Sequence, residues 1–595
     1  MSLHSRRVGL KSAPLPRCDG PRIRATNATK TIHDGNSAAC KERDVKRASR
    51  LSYALLLTAC LPLPAFSQDA VPKVNALVLS ADQVIKDLKL LSDLTSKTEQ
   101  TQWENIEGIL ETFLFGIDRS KPIGLQVMLG GGEQGRLRMA LPITSLKVFR
   151  DENLGGFEIN SRKVGMNLFK LSDKDETFGY MRFAKPYATI GEIRSDVNSV
   201  IKPRQEMASL LQRKYSLGAS VKNTAANQDS RRKAFLPIKN NLLAAIKPRR
   251  GERPEEFAIR KQLLTFELDD AERFFVESES VAGGLRVDPL RKQAHFDLDL
   301  TALAGSSLDA SIQQLATTPS HFSSIPRSSD AILVGRIHHP LDPFRRAGLQ
   351  ALLASARSAL HADIQQNTAA TDSQKVASTK LVDVIVAVTS SGLQQGILDS
   401  FVDVKPTDDG GNVLVGGIRT VRGERLREAI AALPQSTLKL NVTLDVEQAG
   451  GVKIHSVTVP ADLHDDFVSL FGESNTIYVG TSPDAVWCAA GPGALVMLKA
   501  AISAAANPKK TPRPSFLDLE LKVGPWLKLL DSRLGSKGNV ADRKLALKAF
   551  QAGGDTIQLK LERRDKKVIG QTTLGTGILR FLGKTIAVFS KENLE

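Results

Sequence analysis

Apolar positions along the chain repeat with two periods. In RKQAHFDLDLT (291–301), Ala294, Phe296, Leu298 and Leu300 alternate with polar residues, the rhythm of a half-buried strand. IGLQVML (123–129) and RLRMALPI (136–143) read as strands on either side of a glycine run, and FEIN (157–160) and GYMRFA (179–184) follow. Further strands are expected at LTFELDD (264–270), LVDVIVAVTSS (381–391), GNVLVGGIRTV (411–421), LKLNVTLDVE (438–447), VKIHSVTVP (452–460) and TIYVGTS (476–482). The helical period appears elsewhere. Ser80-Ala81-Asp82-Gln83 has the form of a capping box, and Val84, Leu88 and Leu91 follow at helical spacing. Trp103, Ile106, Leu110 and Phe113 form one stripe. Asp342-Pro343 reads as an N-cap with proline at the first helical position, ahead of Leu349, Leu352, Leu353, Ala356 and Leu360. RGERLREAIAALP (422–434) is a helix stopped by proline, and 483–506 reads as helical with a Gly-Pro-Gly break.

These elements recur. LTFELDDAERFF (264–275) lines up with LDLELKVGPWLKLL (517–530), and 281–300 with 552–574; both second segments carry Gly-Gly leading into a hairpin. The longer stretches before them share a plan of helices, sheet and closing strand. The expected organisation is therefore a leader (1–67), module A1 (68–201), a basic linker or insertion (202–261), module B1 (262–322), module A2 (323–506), a linker (507–515) and module B2 (516–595). The fold class is α+β, with duplicated modules of antiparallel sheets packed against helices.

Charge changes the picture only once it is located. The chain carries a net charge of +17, but residues 1–67 hold 12 Lys and Arg against 4 Asp and Glu, and residues 202–261 hold 15 against 5. The remaining modules are close to neutral, so a global affinity for nucleic acid is disfavoured. Aromatic residues are 5% of the chain, too few to favour stacking platforms for bases or sugars. Lys46, Arg47 and Arg50, then LSYALLLTACLPL (51–63), then Ala65-Phe66-Ser67, have the form of a secretory signal peptide spanning 45–67. Residues 1–44, polar and patternless upstream of it, read as a non-native start with initiation near Val45. Leu57-Thr58-Ala59-Cys60 offers an alternative, a lipobox with Cys60 as the lipidated residue, although Leu-Pro-Leu-Pro is apolar where a polar tether is usual. No other stretch is expected to reach the roughly 18 apolar residues of a membrane span. Cleavage after Ser67 leaves Cys488 as the one cysteine of the mature chain, read as a buried small hydrophobe.

Candidate chemistry is sparse. Gly130–Gly135 (GGGEQG) matches the dinucleotide fingerprint in letters. That motif needs a helix after its glycines, and here Leu137, Met139 and Leu141 alternate as a strand, so a hairpin loop is expected. His338-His339 with Asp342, and His464-Asp465-Asp466, lack metal-ligand spacing, because adjacent strand residues point to opposite faces. No catalytic residue, cofactor site or metal site is assigned. Arg231, Arg232, Lys233, Arg249 and Arg250 are the candidate contacts to an anionic surface: phospholipid, envelope polymer or nucleic acid. They carry a peripheral membrane contact through 202–261, with the solvated insertion as the plainer reading.

In layout, with a signal peptide, alternating helix-plus-meander modules and a closing element such as NTIYVGTSPDAVWCAAG (475–491), the chain resembles large exported bacterial proteins of unknown function. The resemblance implies compartment and architecture, and brings no activity or site. The expected function is a non-catalytic envelope or secreted protein that binds a protein, lipid or envelope-polymer partner, an apolar groove between sheet and helices suiting a lipid or peptide. The alternative is a secreted hydrolase whose site assembles from sequence-distant residues.

Overall fold

The computed structural model describes residues 73–128, 136–174, 176–460, 464–507, 513–534 and 540–593. The leader with Cys60, and the glycine run 130–135, lie outside the described residues, as do the side chains of 464–466. The fold is α+β. Twenty strands join in one sheet in which every pairing is antiparallel.

The first ten strands are β1 (Lys73–Val78), β2 (Ile123–Met128), β3 (Arg136–Pro142), β4 (Ile159–Gly165), β5 (Leu168–Asp173), β6 (Glu176–Ala184), β7 (Tyr187–Gly191), β8 (Leu217–Lys222), β9 (Ser278–Asp288) and β10 (Gln293–Ala302). The second ten are β11 (Leu333–Pro340), β12 (Ile397–Pro406), β13 (Asn412–Arg419), β14 (Asn441–Ala449), β15 (Val452–Thr458), β16 (Thr476–Thr481), β17 (Ala485–Ala490), β18 (Ser515–Lys522), β19 (Thr556–Arg564) and β20 (Lys567–Leu574). Across the sheet the first set runs β4-β5-β6-β7-β3-β2-β1-β8-β9-β10. The second set runs outward from β20 as β20-β19-β18-β11-β12-β13-β17-β16-β15-β14. Each strand thus has its counterpart ten numbers later, and the two repeats meet where β10 pairs with β20, Leu298 opposite Gly570. Strands 123–128 and 136–142 pair as a hairpin, Met128 opposite Arg136, so a strand and not a helix follows the glycine run.

The helices repeat as well. In the first repeat, α1 (Ala81–Asp93) and α2 (Lys97–Phe113) join β1 to β2, α3 (Gln228–Ala245) and α4 (Pro254–Glu277) join β8 to β9, and α5 (Ser307–Gln314) follows β10. In the second, α6 (Pro343–Gln366) and α7 (Asp372–Gln394) join β11 to β12, and α8 (Leu426–Ala432) and α9 (Ala494–Ala505) flank the β14–β17 meander. Then α10 (Val523–Leu534) and α11 (Val540–Phe550) join β18 to β19, and α12 (Thr576–Asn593) follows β20. The registers place α3–α4, α5 and α6–α7 at one end of the central strands, and α1–α2, α10–α11 and α12 at the other. Each end therefore mixes both repeats. At the first, Phe266 of α4 lies where a side chain on Gly348 of α6 would be. At the second, α12 passes so close to α1 that a Cβ at Gly583 would stand 2.4 Å from the Leu91 carbonyl oxygen.

Local signals explain the helix starts. Ser80 Oγ accepts from the Gln83 N–H, and Asp342 Oδ1 from the Arg345 N–H, so both expected N-caps are formed. Gln83 does not complete a capping box; its side chain donates forward to Asp87. Five expectations are corrected. LTFELDD (264–270) lies within α4, and LVDVIVAVTSS (381–391) within α7, where Leu381, Val384 and Val388 are buried at helical spacing. α7 is also long and apolar enough to cross a membrane by length and composition, contrary to the expectation that no further stretch is; here it packs against α6 and α8. Residues 483–506 divide into β17 and α9. Residues 202–261 are no linker: they contain β8, a strand deep in the sheet, two short helices (203–206 and 208–212) and α3. The counterpart of β18 is therefore β8, not LTFELDD. The two Gly-Gly pairs also differ. Gly553 and Gly554 take left-handed φ of 70° and 75° before β19. Gly284 sits inside β9, where a Cβ would stand 2.3 Å from the Tyr215 ring.

Candidate functional site

Alternation along twenty paired strands gives the sheet two chemically distinct faces. In the centre one face is polar: His295, Asp297 and Asp299 of β10, Gln571 and Thr573 of β20, and Lys560 and Gln558 of β19. Arg213 pairs with Asp299 there, and Arg327 with Asp518 and Glu520 of β18.

The opposite face is apolar and continuous. Directly opposed residues run Ile123–Val78–Leu217–Leu285–Phe296–Thr572–Leu559–Leu519–Gly335–Val402–Gly416–Cys488–Val479, one from each of thirteen strands. Thr572 is the single hydroxyl in that row. A second row, Leu125–Ala76–Ala219–Gly283–Leu298–Gly570–Leu561–Leu517–Ile337, lies beside it. At about 4.8 Å per strand, thirteen strands carry the first row over about 58 Å.

Helices cover the borders of this face. Phe274 of α4 and Leu308 and Ile312 of α5 pack on Leu300, Val281, Leu517, Leu561 and Val568 at one strand end. At the other, α12 lies against β10 and β19. Beyond β3, Phe149 and Leu154 cover Phe169, Met181 and Ala188; beyond β13, α7 and α8 cover Val486. The face is most open across β8–β10: Phe296 is 49% exposed and Leu217 44%, and Ala219, beside Leu217 on β8, is exposed. An exposed apolar patch flanked by covering helices is a candidate interaction surface. Cys488 lies at its far end and is exposed, contrary to the expectation of a buried thiol.

The titratable groups converge elsewhere. On the polar face, His338 Nδ1 lies 3.4 Å from Asp399 Oδ1, and its Nε2 lies 2.9 Å from the Thr318 carbonyl and 3.2 Å from Thr318 Oγ1. Asp399 is fully buried and also accepts from Ser320 Oγ and the His321 N–H. His339 points the other way, edge-on to the Phe516 ring, and burial lowers its pKa. Asp342 accepts from Arg273, Ser311 and Arg345. The three residues of the His338-His339-Asp342 run thus serve three different surroundings. An open cleft of about 740 Å³ along α6 and α7 is lined by Arg357, Lys380, Asp383 and Arg425; the Arg357 guanidinium holds the Asp383 carboxyl below its usual range. Among the described residues no group of three or more His, Cys, Asp or Glu is placed to hold a metal ion.

The basic candidates separate. Arg231 is 1% exposed; its guanidinium donates to the Val276 carbonyl at the end of α4 and to the Thr224 carbonyl, so it is a structural clasp and not a surface contact. Arg232 is exposed and pairs with Asp229. Lys233, Arg249 and Arg250 are exposed. The apolar row was missed in the sequence because it needs the strand order, although each strand's alternation was visible. No family model, curated protein or solved structure matches this chain.

Proposed function

We propose that the protein is an exported, non-catalytic carrier that holds lipid acyl chains along the apolar row. The supporting observation is that row itself, which runs over thirteen strands and is open around Leu217 and Phe296 on β8–β10. Its open part, on β8–β10, lies on a face well inside the sheet and not at the edge strands β4 and β14, so no unpaired backbone N–H or C=O points at an occupant there; that suits an acyl chain better than a peptide strand. Its length of about 58 Å exceeds several times the ~15 Å that one acyl chain spans in half a bilayer core. Burial of each methylene contributes about 0.8 kcal/mol, so even partial coverage gives useful affinity.

The test is saturable binding of a fluorescent fatty acid by the full chain, with mass spectrometry of co-purified lipid. Phe296→Asp, at an exposed position, is expected to weaken binding at least about tenfold without lowering the melting temperature, because a carboxylate in the row must be desolvated. Unchanged affinity in that variant, or no saturable binding by the parent, overturns the reading. A hydrolase reading rests on Thr318 Oγ1 lying 3.2 Å from His338 Nε2 and Asp399 Oδ1 3.4 Å from its Nδ1, and it requires that Nε2 give up the nearer Thr318 carbonyl, which it meets only as a donor. Loss of p-nitrophenyl ester turnover in Thr318→Val would establish it; turnover unchanged by that substitution, or absent in the parent, removes it.

A further inference from the structure

The α3–α4 hairpin carries a second surface, chemically unlike the apolar row. From Ser230 to Gly251 the chain holds seven Lys and Arg and not one Asp or Glu. The fold uses part of that charge internally. Arg231 clasps the end of α4, and Lys239 pairs with Asp269 and Glu272 of α4 across the seam. At the tip, Arg260 takes both oxygens of Glu252, while Arg253 takes Glu256 and Asp363 of α6. The carboxylates of Glu252, Glu256 and Asp363 are thereby engaged. Lys247, Arg249 and Arg250, all exposed on the loop between the helices, form no ion pair among the described residues. Gly251, with φ of 80°, turns the chain there.

Exposed leucines accompany these cations. Leu236 is 50% and Leu242 46% exposed on α3. Lys233, Leu236, Asn240 and Ala244 are exposed along one stripe of that helix, which runs toward Lys247. The Phe257 ring near the tip is already covered by the Arg260 guanidinium, leaving it unavailable to stack on a base. Free cations beside leucines, on an element projecting from the end of the sheet, have the composition of a bilayer-interface contact.

We infer that the α3–α4 hairpin docks the protein on an anionic phospholipid bilayer, with Lys247, Arg249 and Arg250 at the headgroups and Leu236 and Leu242 in the interface. This contact uses none of the residues of the apolar row and stands or falls separately from acyl-chain carriage. The experiment is co-sedimentation of the full chain with vesicles of phosphatidylcholine alone and of phosphatidylcholine with phosphatidylglycerol, at two salt concentrations. Binding is expected on the phosphatidylglycerol vesicles only, falling as salt rises. The triple variant Lys247→Gln, Arg249→Gln, Arg250→Gln is expected to lower partitioning about 100-fold, and Leu236→Ser with Leu242→Ser about tenfold, with melting temperatures unchanged. Equal binding to both vesicle types, unchanged partitioning of the triple variant, or tighter binding to DNA or polyphosphate than to the anionic vesicles overturns the proposal.

Discussion

The two repeats place ten strands in the same order, yet their helical hairpins differ in length. The α3–α4 hairpin has helices of 18 and 24 residues, whereas its counterpart α10–α11 has 12 and 11. For the hairpin after the first strand the inequality reverses: α1 and α2 have 13 and 17 residues, α6 and α7 have 24 and 23. The two long hairpins come from different repeats and stand at the same end of the sheet, in contact through Phe266 and Gly348. Elongation therefore belongs to an end of the molecule and not to a repeat. The basic tip rides on one of these long hairpins, and the 740 Å³ cleft lies along the other.

Ion pairs tie the repeats at each end, and the most deeply buried of them sets the largest expected effect. At the long-hairpin end, Arg273 of α4 donates to Asp342 at the start of α6. Burial would raise the Asp342 carboxyl, but hydrogen bonds from Ser311, Arg273 and the Arg345 N–H outweigh it and hold the pKa at about 2. A folded pKa below the unfolded value contributes stability above about pH 4 that disappears as the pH falls toward 2. Arg273→Ala leaves that buried carboxylate with Arg345 as its remaining cation, and is expected to cost about 3 kcal/mol in urea unfolding at neutral pH, the low end for breaking a buried pair. At the other end Lys584 of α12 binds Glu99 of α2, which is also fed by the Ser96 N–H and is less buried. Lys584→Ala is therefore expected to cost less, about 1–3 kcal/mol. The reverse order would show that the short-hairpin end bears more of the inter-repeat coupling.

The helix crossings sharpen the comparison at smaller scale. Gly583→Ala pushes a methyl against the Leu91 carbonyl, which is backbone and cannot swing away; a loss of about 1–3 kcal/mol is expected. Gly348→Ala meets the Phe266 ring, a side chain that can shift where a backbone carbonyl cannot, and the gain in helix propensity of about 1 kcal/mol offsets part of the clash. Equal losses at both sites would mean the long-hairpin crossing is as rigid as the short one. His455 of β15, in the second repeat, is fully buried, and its Nδ1 accepts the Asp445 N–H. Burial lowers its pKa, against the opposing pull of the Asp445 carboxylate. Its contribution is thus present above pH 6.5 and lost as the pH falls below that, and His455→Gln should flatten that part of the stability profile. The smallest effect is expected at Asp229→Ala, whose exposed pair with Arg232 is worth about 0.5 kcal/mol or less.

Much of the strand content was legible because apolar and polar side chains alternate along a strand, as Ala294, Phe296, Leu298 and Leu300 do in β10. Legibility failed where one run fits two periods. Leu264, Phe266 and Leu268 alternate, but Leu264 and Leu268 are also one helical turn apart, and the sequence alone does not decide between them. The β-branched run of α7 reads as strand until its start at Thr371, capped by Gln374, fixes the helix. Ala485, Trp487 and Ala489 alternate inward in β17, but an alanine-rich text favours helix on propensity. The apolar row was invisible for another reason. Leu217 and Phe296 belong to one surface only because β8 and β10 flank β9, and strand order is a long-range property. The basic segment was misjudged because its charge was weighed without its partners: Arg231 and Lys239 are spent inside the fold, and the loop cations are not.

The seam between β10 and β20 also bears on the order in which the molecule assembles. His295 and Thr573, whose side chains meet across it, are 278 residues apart in the chain. As the chain emerges, the first repeat presents β10 as an unpaired edge beside an uncovered apolar face until the second repeat is nearly complete. Contacts of such sequence separation close slowly, and open edges recruit wrong partners in the interval. The joint that makes the two repeats one sheet is therefore among the late contacts, followed only by the docking of α12 on α1 and α2, and is a point at which a folding helper has much to protect.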